Sequence, residues 1–191
     1  AMDFSGCAEL KEIKVHGNFE NVKEVNLTGC VNLQVLELSA KNITDLDLTP
    51  CVNLEELELN WLPIKSLNLQ ACSKLRKLNL RALSSLSNID ISAVPNLTEL
   101  NLQDIRSLKT INLSAVSNLT SLYISSLPIS HIDLSTCQKL QSAILGGQHI
   151  ESVNVKNCQC LEYLSVSNAP KLKKVNLSLC KELRFLEICE C

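Results

Sequence analysis

One short phrase recurs nine times in this chain at a nearly fixed period, and that period constrains the fold more than any other feature. In each full copy two apolar residues bracket an Asn or Asp. A Ser, Thr or other polar residue follows, then a turn residue, then Cys or Val. The copies read VNLTGC at 25–30, LDLTPC at 46–51, LNLQAC at 67–72, IDISAV at 89–94, INLSAV at 111–116, IDLSTC at 132–137, VNVKNC at 153–158 and VNLSLC at 175–180. MDFSGC at 2–7 is a shortened first copy. From Val25 onward successive copies lie 21 or 22 residues apart. Self-similarity in that range specifies a stack of coils rather than a single closed core.

A second set of phrases alternates with the first every 10 to 12 residues: LELSA from Leu36, LELNW from Leu57, LNLRA from Leu78, LNLQD from Leu100, LYISS from Leu122, AILGG from Ala143, LSVSN from Leu164 and LEICE from Leu186. IKVHG from Ile13 is an earlier member. In both sets alternate residues are apolar, as in a strand buried on one face. The first set is nearly invariant and its segments are termed uniform; the second set is variable. A short turn and an anchoring residue follow each segment, for example Leu33, Leu54 and Leu75 after uniform segments and Ile43, Ile64 and Leu86 after variable ones. No stretch has sustained helical periodicity. The expected fold is therefore a repeat solenoid with two short parallel strands per coil, two facing parallel sheets and little helix. Residues 1–191 read as one solenoid of about eight to nine coils, expected to be a piece of a longer array because neither end carries a polar capping unit. Aromatic residues make up only 3% of the chain, which suits leucine layers better than an ordinary core.

The L-x-x-L-x-L frame with its Asn/Cys-like slot resembles the leucine-rich repeat. The alternation of the two phrases is most similar to the short, two-stranded repeats of internalin-type surface proteins and of gut-bacterial surface proteins. That resemblance spans essentially the whole chain. It implies a repeat solenoid, a non-enzymatic binding role and a bacterial cell-surface or secreted location, with a cytoplasmic location as the alternative. One departure stands out. Leucine-rich repeats place Asn or Cys after the concave strand, whereas here Lys41, Leu62, Leu83, Ile105, Leu127, Gln148 and Ala169 follow the variable strands. The Cys follows the uniform ones, so the sequence does not assign the concave side.

Several chemistries are disfavoured. A net charge of −2 gives no electrostatic footprint for nucleic acid, and no apolar run is long enough for membrane insertion. The three histidines, His16, His131 and His149, have no nucleophile or paired carboxylate at a spacing that implies a triad, and no cofactor-binding loop is present. The sequence leads us to expect no catalytic residue, no metal ligand and no cofactor. Asp and Asn alternate down the column Asp3, Asn26, Asp47, Asn68, Asp90, Asn112, Asp133, Asn154, Asn176. This spreading of carboxylates favours a structural ladder, with amides bonding along the column, over a calcium site. Seven cysteines share one repeat position with Val94 and Val116. Interchange with Val predicts buried free thiols. The C-x-C pairs Cys158/Cys160 and Cys189/Cys191 lack a second pair or a nearby His for a zinc site, and the terminal pair is expected to be exposed. Six N-x-S/T sequons, three of them in the ladder itself, fit poorly with glycosylation in a eukaryotic secretory route.

Function is expected on the variable strands, whose outward residues change from coil to coil and include the only Trp and both Tyr. Aromatic residues and Arg dominate binding hot spots. Candidate partner-binding residues are Glu37, Glu56, Glu58, Trp61, Arg76, Arg81, Tyr123, Tyr163 and Phe185. The partner class is a protein ligand. Open solenoid ends also admit end-to-end self-association. The alternative function is a structural or sensor segment of a larger protein whose activity lies in another domain.

Overall fold

The computed structural model describes residues 1–17 and 19–190. Cys191, the second member of the terminal C-x-C pair, lies outside the described residues. The chain winds as a parallel β-solenoid with almost no helix, as the period requires. The variable segments become β2 (Glu12–Val15), β4 (Val35–Ser39), β5 (Glu56–Asn60), β6 (Lys77–Arg81), β7 (Glu99–Gln103), β8 (Ser121–Ser125), β10 (Ser142–Gly146), β12 (Tyr163–Ser167) and β14 (Phe185–Cys189). All nine pair in parallel to form one continuous sheet, ordered along the stack as in the sequence. The register aligns like with like: Leu36, Leu57, Leu78, Leu100, Leu122, Ala143 and Leu164 are successive Cα partners.

The uniform side is different. Its segments pair only at the two ends of the described stack. β1 (Met2–Asp3) pairs with β3 (Val25–Asn26), and β9 (His131–Asp133), β11 (Ser152–Asn154) and β13 (Lys174–Asn176) form a three-stranded sheet. The four copies from Leu46 to Leu113 are not strands, and one of them carries a single 3-10 turn, Ile91–Ala93. The second of the two expected sheets is thus intermittent. Paired and unpaired copies alike share a turn closed by the Asn/Asp column, so this turn loosens the dependence on strand pairing without selecting which copies pair. In all nine copies the side-chain Oδ1 accepts the backbone N–H two residues on, from Asp3 with Ser5 at 2.9 Å to Asn176 with Ser178 at 3.1 Å. Each uniform segment therefore satisfies a backbone donor within its own coil and depends less on a neighbouring strand. The column is a run of Asx turns rather than an amide ladder. Contacts along it occur where the copies pair as strands: Asn154 Nδ2 donates to Asp133 Oδ1 at 3.0 Å, and the Asn26 side chain helps Ser5, the larger influence, to lower Asp3.

Between the two sides lies a core of stacked layers. Leu33, Leu54, Leu75, Leu97, Leu119, Leu140 and Leu161 are fully buried, as are Ile43, Ile64, Leu86 and Leu108. Leu62, Leu83, Ile105, Leu127 and Ala169 are also core residues, so the apolar slot after the variable strands is a packing position. Cys30, Cys51, Cys72, Cys137 and Cys158 are free thiols with no solvent exposure, matched by Val94 and Val116. Several also tie one coil to the preceding one. Cys30 Sγ donates to the Phe4 carbonyl at 3.3 Å, Cys158 Sγ to that of Leu134 at 3.2 Å and Cys180 Sγ to that of Val155 at 3.0 Å. Burial pushes the Cys51 and Cys158 thiols up to about 12 and Cys72 up to about 11. Cys7 and Cys160 are exposed, and Cys189 is only half-buried.

A second inter-coil device was not evident in the sequence. Asn32, Asn53, Asn96 and Asn118 each donate from Nδ2 to a backbone carbonyl of the preceding coil, at 2.8 to 3.3 Å. Lys74 and Lys139 stand at the same repeat position and donate to Asn53 and Asn118. These bonds cap carbonyls that no strand pairing reaches.

Candidate functional site

Strand alternation leaves three outward positions per variable strand, and parallel register stacks them into three columns. The central column runs Lys14, Glu37, Glu58, Asn79, Asn101, Tyr123, Ile144, Ser165, Glu187. One flanking column carries Glu56, Lys77, Glu99, Ser121, Ser142, Tyr163 and Phe185. The other carries Ser39, Asn60, Arg81, Gln103, Ser125, Gly146 and Ser167. The rows are one strand separation apart, roughly 4.8 Å.

This face divides into two halves of different chemistry. From β2 to β7 it is charged and largely self-neutralised. Lys14 Nζ lies 3.0 Å from Glu37, and His16 Nε2 lies 2.9 Å from the same carboxylate. Lys14, through its hydrogen bond and then its charge, holds the Glu37 carboxyl below its ordinary range, and Glu37 in turn raises Lys14. Lys77 sits between Glu56 and Glu99 at 3.7 Å from each. Glu58 is the Cα partner of Glu37 and is held by amides, accepting from Asn60 at 2.8 Å and Asn79 at 3.2 Å. A shallow cavity of about 340 Å³ opens here between Glu37, Glu58, Lys77 and Tyr123.

From β8 to β12 the nine outward positions are Ser121, Tyr123, Ser125, Ser142, Ile144, Gly146, Tyr163, Ser165 and Ser167, with no formal charge among them. The small residues Ser125, Gly146 and Ser167 are neighbours in one column and floor a larger cavity of about 640 Å³. Arg106, Tyr123, Gln148, His149 and Asn168 are among the residues that wall it. Tyr123 borders both cavities.

The candidate residues fall into separate groups. Glu37, Glu56, Glu58 and Arg81 share the charged half of the face. Trp61 lies just beyond β5 in a left-handed turn (φ 69°), 51% exposed, with the Arg81 guanidinium 5.9 Å from its ring centroid. That contact is a cation–π pair. Tyr163 and Phe185 sit together, ring centroids 6.5 Å apart and tilted by 44°, and the Tyr163 hydroxyl donates to Glu187 at 3.4 Å. Tyr123 stands between these groups. Arg76 precedes β6, off the strand face, and pairs with Glu55 along the edge where the chain enters the sheet. Five strand steps, on the order of 24 Å at the usual separation, part β5 from β12. No small ligand touches both Trp61 and Tyr163.

Sequence reasoning missed Lys77 and Glu99 in the smaller cavity and Arg106, Gly146, Gln148, His149 and Asn168 in the larger one. A usable signal was present in the run of nine uncharged outward positions over three repeats. Among the described residues, no cluster of three or more His, Cys, Asp or Glu side chains is placed to hold a metal, and no helix is long and apolar enough to cross a membrane.

No family model matches the chain, and no curated protein matches it in sequence. Solved structures do match. An internalin from Listeria monocytogenes superposes with a TM-score of 0.64 at 22% identity, covering 94% of this chain and 61% of that one. A leucine-rich repeat protein from Leptospira interrogans superposes with a TM-score of 0.67 at 19% identity, covering 95% of this chain and 55% of its own. This chain thus spans less than two thirds of the length of each.

Proposed function

We propose that this leucine-rich-repeat solenoid is a non-enzymatic interaction module that holds a protein partner across the outward face of its nine-stranded sheet. The observation that carries this reading is the contrast within each coil. One flank repeats the same Asx turn nine times, whereas the three outward columns of the sheet change residue at nearly every step. A surface with only a structural task has no need of such variety. The fold presents a long, rigid and continuous platform of the kind repeat proteins use for extended binding. In this reading Trp61, Tyr123, Tyr163 and Phe185 are the apolar anchors. Glu37, Glu56, Glu58 and Arg81 set register and selectivity, with Arg76 at the margin. Display on, or secretion from, a bacterial cell belongs to the same proposal and is supported by the likeness to an internalin fold.

A photo-crosslinking residue placed at Asn101, at the centre of the sheet, is expected to trap a partner. The same residue at Gln70, on the uniform flank, is expected to trap none. The double variant Tyr123→Ala/Tyr163→Ala should lose capture while its thermal unfolding stays close to that of the parent. Equal trapping from both positions, or capture unchanged in the double variant, rejects the reading.

A further inference from the structure

The larger cavity on the neutral half is built differently from the rest of the face. We infer that it is a receptor pocket for a single carboxylate side chain, an Asp or Glu presented by the bound protein. This rests on the interaction role proposed above and names the chemistry of one contact within it.

Three observations support the assignment. The first is charge. The chain carries 20 acidic residues, yet none lines this cavity, and the one permanent charge in its wall is Arg106. The neighbouring cavity is lined by four carboxylates, Glu37, Glu56, Glu58 and Glu99, against the one cation Lys77. An acidic group is thus repelled from one half of the face and admitted to the other.

The second is unspent hydrogen-bonding capacity. The side chains of Arg106, Tyr123, Gln148, His149 and Asn168 make no hydrogen bond or ion pair with any described residue. On the charged half the corresponding groups are engaged with one another, as at Lys14–Glu37 and Lys77–Glu99. Arg106 offers a planar fork of donors that matches the two oxygens of a carboxylate, and the amides and the phenol add neutral donors.

The third is shape. Gly146 lies between Ser125 and Ser167 in the outward column, and the three small residues recess the floor. A Cβ on Gly146 would stand 3.4 Å from Ser167 Oγ and 3.9 Å from Ser125 Oγ, ordinary contact distances. Its φ is not in the left-handed region, so backbone strain does not demand glycine here. The missing side chain is instead accounted for by the space it leaves. Ile144 and Tyr123 border that space and suit the methylene stem of an acidic side chain.

The test uses the whole chain and three blocked tripeptides, Gly-Glu-Gly, Gly-Gln-Gly and Gly-Lys-Gly, followed through backbone amide resonances. The Glu peptide is expected to shift Gly146, Gly147 and Gln148, and to bind about tenfold more tightly than the Gln peptide. Arg106→Gln should remove that preference. Gly146→Leu should fill the recess and abolish the shifts while leaving the unfolding temperature nearly unchanged. Equal binding of the Gln or Lys peptide, absence of shifts, or a preference that survives Arg106→Gln overturns the inference. Stronger shifts with glucuronate than with the Glu peptide would assign the pocket to an acidic sugar and overturn it as well. Crosslinking from Asn101 reads the broader proposal separately: a partner trapped there with no carboxylate preference rejects the pocket alone.

Discussion

The uniform and variable flanks of each coil are made from nearly the same phrase, yet they solve backbone hydrogen bonding in opposite ways. The variable flank bonds outward, strand to strand, through nine strands without a break. The uniform flank bonds inward, each Asn or Asp closing a turn over its own coil, and pairs as strand in only part of its length. The difference teaches where sequence freedom comes from. A ladder of main-chain bonds is indifferent to the outward side chains, so those positions are free to diversify. A turn closed by a side chain fixes the identity of that side chain. Where the uniform flank does not pair, coil-to-coil hydrogen bonding falls to the Asn53-type amides, which reach back to carbonyls of the coil before. The thiols of Cys30, Cys137, Cys158 and Cys180 add bonds in the copies that pair.

The sharpest way to break this contrast is to ionise the uniform flank. Cys51, Cys72 and Cys158 have folded-state values of about 12, 11 and 12 against an ordinary 9.0. Their stabilisation is complete below pH 9, where the thiol is protonated in both states. It is lost as pH rises from there towards 11 and 12, at up to about 1.4 kcal/mol per pH unit per thiol. Unfolding temperature under reducing conditions should therefore fall steeply above pH 9, and the triple Cys→Val variant should remove most of the fall. An unchanged slope in that variant would mean that the slots do not bear on stability. The four aspartates of the column supply a smaller acid counterpart. Neighbouring Ser or Thr donors lower Asp3, Asp47, Asp90 and Asp133, so their contribution is present above the ordinary 3.8 and fades as pH falls below it.

Next in size is the turn itself. Asn112 Oδ1 accepts from Ser114 N at 3.0 Å and from Ser114 Oγ at 2.7 Å. Asn112→Ala should cost about 1 kcal/mol in chemical denaturation, by analogy with the loss of a helix cap. Ser142→Ala, on the outward sheet face, should cost less than about 0.5 kcal/mol. Similar values for the two would erase the distinction between flanks. A gain of about 0.5 kcal/mol is expected for Leu179→Asn, because Leu179 holds φ 67° at a turn where the equivalent residue in the preceding coil is Asn157 at φ 69°. The smallest effect belongs to the ion pairs of the sheet. Lys77→Gln should change stability by no more than about 0.5 kcal/mol, and that difference should vanish at high salt.

Most of the fold is written in the repeat. The period placed the core leucines of the central coils, and interchange with Val placed five of the seven thiols inside, Cys7 being exposed and Cys180 half-buried where the stack ends. The continuity of one sheet and the interruption of the other were not legible, because VNL and LDL read as strand in either case. Every Asn or Asp of the column closes its turn in paired and unpaired copies alike, so the residue type carries no signal of which copies pair. The candidate site was legible in part. Glu37, Glu58 and Tyr123 fall in one column as the alternation dictates, whereas Arg76, chosen for its type, sits on an edge with Glu55. Gly146 carries no signal in the sequence beyond that of a turn residue. Its significance depends on Ser125 and Ser167, which lie 21 residues away on either side and become its neighbours only when the coils stack.

The in-register sheet also makes the molecule a ruler. Each coil added between the acidic rows and the neutral recess would move them apart by one graduation, roughly 4.8 Å, without altering either. Gain or loss of a single 21- or 22-residue unit therefore retunes the distance between two contacts on a partner. The spacing of recognition features is set here by counting coils, and the chemistry of each feature is set independently by the residues it displays.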